Sequence, residues 1–329
     1  MVAVSAISRA MSNGQSPGRG AVALIAGPTA SGKSDLAVDL ALELARRGAR
    51  GVVLNADSAQ VYRDLRILSA RPSDEEMRGV EHRLFGAWDG ADACSAADWA
   101  AAAKREIEAL HAQGDVPILV GGTGLYIRTL LDGIAPVPAI DPAVRESVRA
   151  LPVAEAYAAL GIADPERAAA LNPGDTTRVA RALEVIRSTG QPLSHWQRER
   201  VGGIGNAIEL FAQVLMPDRA WLFGRCDLRF DRMWANGAVS EVEALLERNL
   251  RPDLPVMRAI GVPQIAAWLR GDLSRADAMG TACHATRMYA KRQNTWFRQQ
   301  APKEWPWVGN ENYDIEVMFE TLFRYLGLT

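Results

Sequence analysis

Short, wholly apolar runs alternate with amphipathic stretches over the first part of the chain. Residues 21–26 (AVALIA), 52–54 (VVL) and 116–120 (VPILV) are apolar on both faces, the pattern of strands buried in a parallel sheet. After the first run, Leu36, Leu40 and Leu44 recur at helical spacing between Ser34 and Arg47, and Gly48 ends the helix. Ser95 and Asp98 form a capping-box signature for a second helix running to about Gly114. The order strand, helix, strand, helix, strand predicts a doubly wound α/β sheet. Ligands of such sheets bind at the carboxyl ends of the strands, which here carry Gly27–Ser34, Asp57–Gln60 and Gly121–Gly124. Residues 133–142 (GIAPVPAIDP) and 202–206 (GGIGN) then read as linkers on either side of an Ala- and Arg-rich helical stretch. The expected organisation is a core over 21–138 and 206–329 with a small all-helical insertion at 139–205. Residues 207–215 (AIELFAQVL) predict a returning core strand, and helices follow Pro217 to about Gln300. The last long helix begins near Ser274, with Asp277 completing a capping box.

Composition narrows the class. The chain has 329 residues, 48% hydrophobic and 23% charged, which suits a globular protein of about two domains. No apolar run approaches the ~20 residues of a membrane span. The first twenty residues hold no continuous hydrophobic stretch, so they are expected to be a disordered extension rather than a secretory signal, with Met11 as an alternative start. Cys94, Cys226 and Cys283 lie far apart and offer neither a disulfide framework nor a zinc set, which fits a reducing cytoplasm. The net charge of −2 argues against a general polyanion binder, so a nucleic-acid site has to be a local patch.

Five stretches carry candidate chemistry. Gly27-Pro28-Thr29-Ala30-Ser31-Gly32-Lys33-Ser34 fits the P-loop pattern GxxxxGK followed by Ser or Thr. Its backbone N–H groups and the following helix terminus can cradle a di- or triphosphate. Lys33 supplies a point charge, and the Ser34 hydroxyl suits Mg²⁺. Asp57, just past the second strand, has three readings: a metal ligand in a small-molecule kinase, a proton acceptor in a group transferase, or a helix N-cap with Ser58. At Gly121-Gly122-Thr123-Gly124 the glycines permit close ligand approach and Thr123 can donate to a developing charge, or the stretch is a plain strand-to-helix turn. On the last long helix Arg287, Lys291, Asn294 and Arg298 share one face, with Met288, Tyr289 and Trp296 on the other side. That cationic face suits a phosphodiester backbone, or is simply solvated. In the insertion, Arg178 and Arg181 lie opposite Val179, Leu183 and Ile186, again either a nucleic-acid grip or a solvated face. His82, His111, His195 and His284 show no mutual ligand spacing.

Together these words resemble the tRNA dimethylallyltransferase (tRNA isopentenyltransferase) family of bacterial type. They are GPTASGKS at 27–34, DSAQVYR at 57–63, GGTGLYIRTLLDG at 121–133, TRVARALEV at 177–185, RAIGVPQ at 258–264 and AKRQNTWFR at 290–298. The resemblance implies a P-loop core that transfers a dimethylallyl group from dimethylallyl diphosphate to N6 of the adenosine 3′-adjacent to the anticodon, releasing diphosphate with help from Mg²⁺. The phosphate loop, Gly27, Thr29, Ala30, Ser31, Gly32, Lys33 and Ser34, would then hold diphosphate, with Ser34 toward the metal and Arg225 and Arg229 closing over the donor. Asp57 would be the base and Thr123 a contact near the reacting centre. The implied tRNA contacts are Asp57, Ser58, Ala59, Gln60, Thr123, Arg145, Thr177, Arg178, Val179, Ala180, Arg181, Val256, Met257, Arg258, Ala259, Ile260, Gly261, Lys291, Arg292, Gln293, Asn294, Thr295, Trp296, Phe297 and Arg298. The expected partner is the anticodon stem-loop of tRNA, bound by a cytoplasmic monomer with no membrane or obligate protein partner. The chain departs from the family where Ser69-Ala70-Arg71-Pro72 replaces the usual Thr-Ala-Lys-Pro, and it lacks the zinc finger of eukaryotic members. The competing classes are a P-loop small-molecule kinase, which would consume ATP, and an RNA-interaction module, which would bind without turnover.

Overall fold

A computed structural model describes residues 19–309 and 313–328. Residues 1–18 of the expected extension lie outside them, and Gly20 already belongs to the first strand. The chain divides into two compact units. One takes in the chain up to Leu130 and again from Ile204 onward; the other runs Leu131–Gly203. The second unit therefore begins at Leu131, ahead of the proline-rich stretch at 133–142, rather than within it at 139.

The first unit is built on a six-stranded sheet in the order β3-β2-β4-β1-β5-β6. Its strands are β1 (Gly20–Ala26), β2 (Gly51–Asn55), β3 (His82–Arg83), β4 (Val116–Gly121), β5 (Ile208–Leu215) and β6 (Trp307–Val308). Every pairing is parallel. β1 lies in the middle, with Ala23 opposite Ile118 on one side and Phe211 on the other. Strands covered on both faces have to be apolar throughout, and β2 and β4 are buried at every position. The two-residue edge strands β3 and β6 are too short for any hydrophobic pattern to announce.

Helix α1 (Lys33–Arg46) follows β1 and packs Leu36, Leu40 and Leu44 into the core with Ile25, Ile118 and Phe319. Helix α2 (Ala96–Gln113) starts on the expected capping box, Ser95 with Asp98, and ends at Gly114 in a left-handed conformation. Helix α3 (Gly124–Asp132) leaves β4 directly. After β5 come α4 (Arg219–Ala235), α5 (Ala238–Glu247), α6 (Val262–Leu269) and α7 (Arg275–Gln300). Ser274 caps α7 by accepting the Asp277 N–H. Among the described residues no helix is long and apolar enough to cross a membrane.

The second unit is all helical. Its longest helix, Thr176–Thr189, packs Val179, Ala182 and Leu183 against Val148, Ala156 and Leu160 of two others, Pro142–Arg149 and Val153–Ala163.

Candidate active site

Three loops at the carboxyl ends of β1, β2 and β4 meet at one edge of the first unit. They are knitted by backbone bonds: Gly27 N donates to Gly121 O (3.3 Å), Ala56 N to Val120 O (2.8 Å), and Thr123 N to Ala56 O (3.3 Å). The glycines of the β4 loop are demanded by this packing. A Cβ on Gly121 would strike the Ala56 backbone, one on Gly122 the Gln293 amide, and one on Gly124 the Trp296 ring. The expected role of these glycines, ligand approach, is corrected accordingly: protein atoms occupy the space.

The phosphate loop opens onto a cavity of about 750 Å³. Six cationic side chains line it (Lys33, Arg66, Arg71, Arg225, Arg229 and Arg232) against four carboxylates, Asp35, Asp57, Glu75 and Glu76. Arg225, Arg229 and Arg232 are spaced i, i+4, i+7 on α4, so one helix face supplies three of the six. The resemblance implied the first two; the helical spacing adds Arg232. Arg71, which stands where the family has lysine, also lines this cavity.

Lys33 is buried, with Nζ donating to Pro28 O (3.2 Å). Burial lowers its pKa to about 8; Asp57 pulls the other way and Arg229 adds to the lowering. Burial also lowers the pKa of Arg229. This is a cationic floor short of counter-charge, which an anionic ligand relieves. Thr29, Ala30, Gly32 and Ser34 reach the cavity, whereas Gly27 and Ser31 stand behind it. The Ser31 hydroxyl is buried with no partner.

A second cavity of about 350 Å³ adjoins the first and shares Thr29, Asp57, Ser69, Ala70, Arg229 and Met233 with it. Its walls are largely apolar: Tyr62, Leu65, Leu68, Tyr126, Phe230 and Ile260, with Tyr289 and Arg292 from α7. Tyr126 is fixed by stacking on Trp99 at 4.6 Å, and Trp99 in turn donates to Asn55 O (2.8 Å). Asp57 faces both cavities. Its Oδ1 accepts the Ala59 N–H (2.9 Å), an Asx turn; of the three readings of Asp57 this disfavours the helix N-cap, since no helix follows. Thr123 Oγ1 accepts the Ser58 N–H (2.9 Å) and donates to Ser58 Oγ (3.2 Å), holding the residue next to Asp57. The Tyr289 hydroxyl faces Thr123 and Ser58, and burial with the nearby Asp57 charge keeps it protonated far above the usual phenol range.

A cationic cavity and an adjoining apolar cavity share one carboxylate, Asp57. The family described as IPP transferase matches residues 60–300. The chain belongs to the IPP transferase family. It is 66% identical over 278 residues to the tRNA dimethylallyltransferase of Novosphingobium aromaticivorans, covering 84% of this chain and 99% of that protein. The tRNA dimethylallyltransferase of Erythrobacter litoralis is 60% identical over 304 residues, 92% of this chain and 96% of that protein. Among solved structures, the tRNA isopentenylpyrophosphate transferase of Bacillus halodurans superposes with a TM-score of 0.65 at 32% identity over 94% of this chain and 96% of that one. A eukaryotic dimethylallyltransferase acting on tRNA gives 0.74 at 27% identity over 89% and 74%.

This IPP transferase family member divides the residues expected at the tRNA into surface and core. In the first unit Arg258, Lys291, Arg292, Thr295 and Arg298 are exposed, and Met257, Ala259, Ile260 and Asn294 are half-buried. Burial removes the Val256 and Phe297 side chains from any docking surface. Gly261 is buried too, adopts φ +100° and backs onto Leu68. The Gln60 amide is committed to the Ser69 and Ala70 carbonyls (both 3.0 Å). Gln293 is buried within the site itself, and Trp296 packs over Gly124. Arg287 of the expected cationic face is tied to Asp227 at 2.6 Å. In the insertion Thr177 and Arg178 are exposed and Ala180 half-buried, while Val179 is core. Arg181 lies near Arg145 and Arg149 around the buried Glu184, to which Arg149 Nε donates (2.9 Å). Sequence reasoning missed Arg149 because Glu184, its partner, lies 35 residues away.

Proposed function

We propose that the protein transfers a dimethylallyl group from dimethylallyl diphosphate to N6 of the adenosine 3′-adjacent to the anticodon of tRNA. The observation that carries this reading is Asp57, the carboxylate shared by a cationic cavity and an apolar one. A diphosphate suits the first cavity; a five-carbon chain and a flipped-out adenine suit the second. Adenine N6 is a poor nucleophile because its lone pair is delocalised into the ring. Asp57 accepts the N6 proton as the N6–C1 bond forms and the C1–O bond breaks. The electron pair of that broken bond leaves on diphosphate, whose growing charge Lys33, Arg225 and Arg229 are placed to stabilise.

The cofactor in this reading is Mg²⁺. The donor set fits it, since the Ser34 hydroxyl and diphosphate oxygens are hard ligands and Mg²⁺ retains several waters. Among the described residues no group of three or more His, Cys, Asp or Glu could hold a metal, so Ser34 and the substrate would be its main ligands. When bound, the ion neutralises charge on the departing diphosphate. In this reading the first unit offers tRNA the residues Arg258, Lys291, Arg292 and Arg298, and the insertion, taken by itself, Arg145, Arg178 and Arg181. The expected setting is a cytoplasmic monomer.

The test is incubation with dimethylallyl diphosphate, Mg²⁺ and unmodified tRNA, followed by mass analysis of nucleosides. A prenyl gain on one adenosine per anticodon loop is expected, with no requirement for ATP. Phosphate transfer from labelled ATP without prenylation would make the protein a kinase, and tRNA binding without product would make it a binding module.

A further inference from the structure

We propose that Gln293 is the positioning residue that sets the phosphate loop for its diphosphate ligand; the inference rests on the transfer reaction proposed above. Helix α7 has two working faces. Lys291 and Arg298 are exposed on one. On another, Tyr289, Gln293 and Trp296 follow at i, i+4 and i+7, and each meets a different part of the site. Tyr289 faces Thr123 and Ser58, and Trp296 lies over Gly124. Gln293, only 5% exposed, joins the phosphate loop, which lines the cationic cavity, to the loop that follows β4. Its Oε1 accepts the Thr29 N–H (2.8 Å), and its Nε2 donates to Gly122 O (2.9 Å).

The direction of these bonds matters. A phosphate loop works through the orientation of its N–H groups. Gln293 turns one of them, that of Thr29, inward and so fixes the path of the chain on either side. It needs an acceptor toward Thr29 and a donor toward Gly122 in one planar group, which a primary amide or a protonated carboxyl of this length supplies. An ionised carboxylate would place an acceptor against the Gly122 carbonyl. A thioether of similar size would leave both backbone groups buried and unpaired.

Gln293→Met and Gln293→Glu test this. Inorganic diphosphate binding is measured by calorimetry, and KM is measured separately for donor and tRNA. For Gln293→Met, two lost neutral hydrogen bonds predict a diphosphate Kd and donor KM raised roughly tenfold or more, with the KM for tRNA within about twofold. For Gln293→Glu, the diphosphate Kd relative to wild type at the same pH should be poor at pH 8 and recover toward pH 5, as a carboxyl of ordinary pKa about 4.3 begins to take up its proton. Taking the ratio at each pH cancels the titration of Lys33 and of diphosphate itself. A wild-type diphosphate Kd in Gln293→Met, a defect confined to tRNA, or a Gln293→Glu ratio flat with pH would overturn the proposal. If Gln293→Met fails to fold, the Gln293→Glu pH series decides alone. Absence of prenyl transfer by the wild-type protein would defeat the transferase reading while leaving the diphosphate measurements intact, so the two failures are distinguishable.

Discussion

Lys33 is a buried cation at the site. Its pKa is lowered to about 8, mainly by burial, from the ordinary 10.5. Between those values the unfolded chain binds more protons than the folded one, so the stability of the ligand-free protein rises as pH climbs through that window. Lys33→Met removes the buried charge. It is expected to melt above wild type at pH 7, with an advantage that shrinks between about pH 8 and 10.5. A gap that stays constant over that range in thermal melts would contradict the assignment. Diphosphate favours the charged amine, so its binding at pH 8 should take up a proton, seen in calorimetry as an enthalpy that depends on the ionisation heat of the buffer. Asp57 separates two other roles. Asp57→Asn keeps the shape but cannot accept the N6 proton, and loss of general base catalysis costs about 10²–10⁴ in rate. Diphosphate binding should persist while single-turnover transfer falls by that factor. Rescue by excess Mg²⁺ would move Asp57 to the metal site.

Among the elements, the segment from Arg66 to Arg71 forms a wall of both cavities, yet it belongs to no helix or strand. It is held by Glu241 at the start of α5, whose Oε1 accepts the Arg66 and Ile67 N–H groups (2.6 and 2.7 Å) and whose Oε2 accepts that of Leu68 (2.8 Å). Glu241→Gln keeps one acceptor and loses the charge that strengthens all three bonds, so about 1–3 kcal/mol of stability should go. Denaturant unfolding measures that loss, and donor KM should rise in parallel. The main strands, α1, α2 and the start of α7 were legible because burial on both faces, helical spacing and capping residues are local signals. The bonds that Gln60 and Gln293 make within the fold were not legible, for the opposite reason. Gln293 bonds partners 264 and 171 residues away, and no local pattern records that. β3 and β6 gain their strand geometry only from their neighbours in the sheet.

At the scale of the whole molecule, the insertion has a core of its own in Val148, Leu160, Val179 and Leu183. Leu160→Ala should destabilise that unit by about 2–5 kcal/mol. Weaker tRNA binding with unchanged affinity of the first unit for diphosphate is the expected pair of results. Diphosphate binding that fell equally would show that the unit does not unfold alone. The unit's chain path has a further consequence. Ile204 N donates to Leu130 O at 2.9 Å, so the polypeptide leaves the first unit and re-enters it at adjacent points. Everything from Leu131 to Gly203 is thus an insertion between two adjacent points of the first unit. A two- or three-residue turn should close the gap, at a loop-closure entropy no greater than that of the segment it replaces. The shortened protein is expected to melt cooperatively and bind diphosphate with wild-type affinity, as a donor-binding half that has lost its grip on RNA.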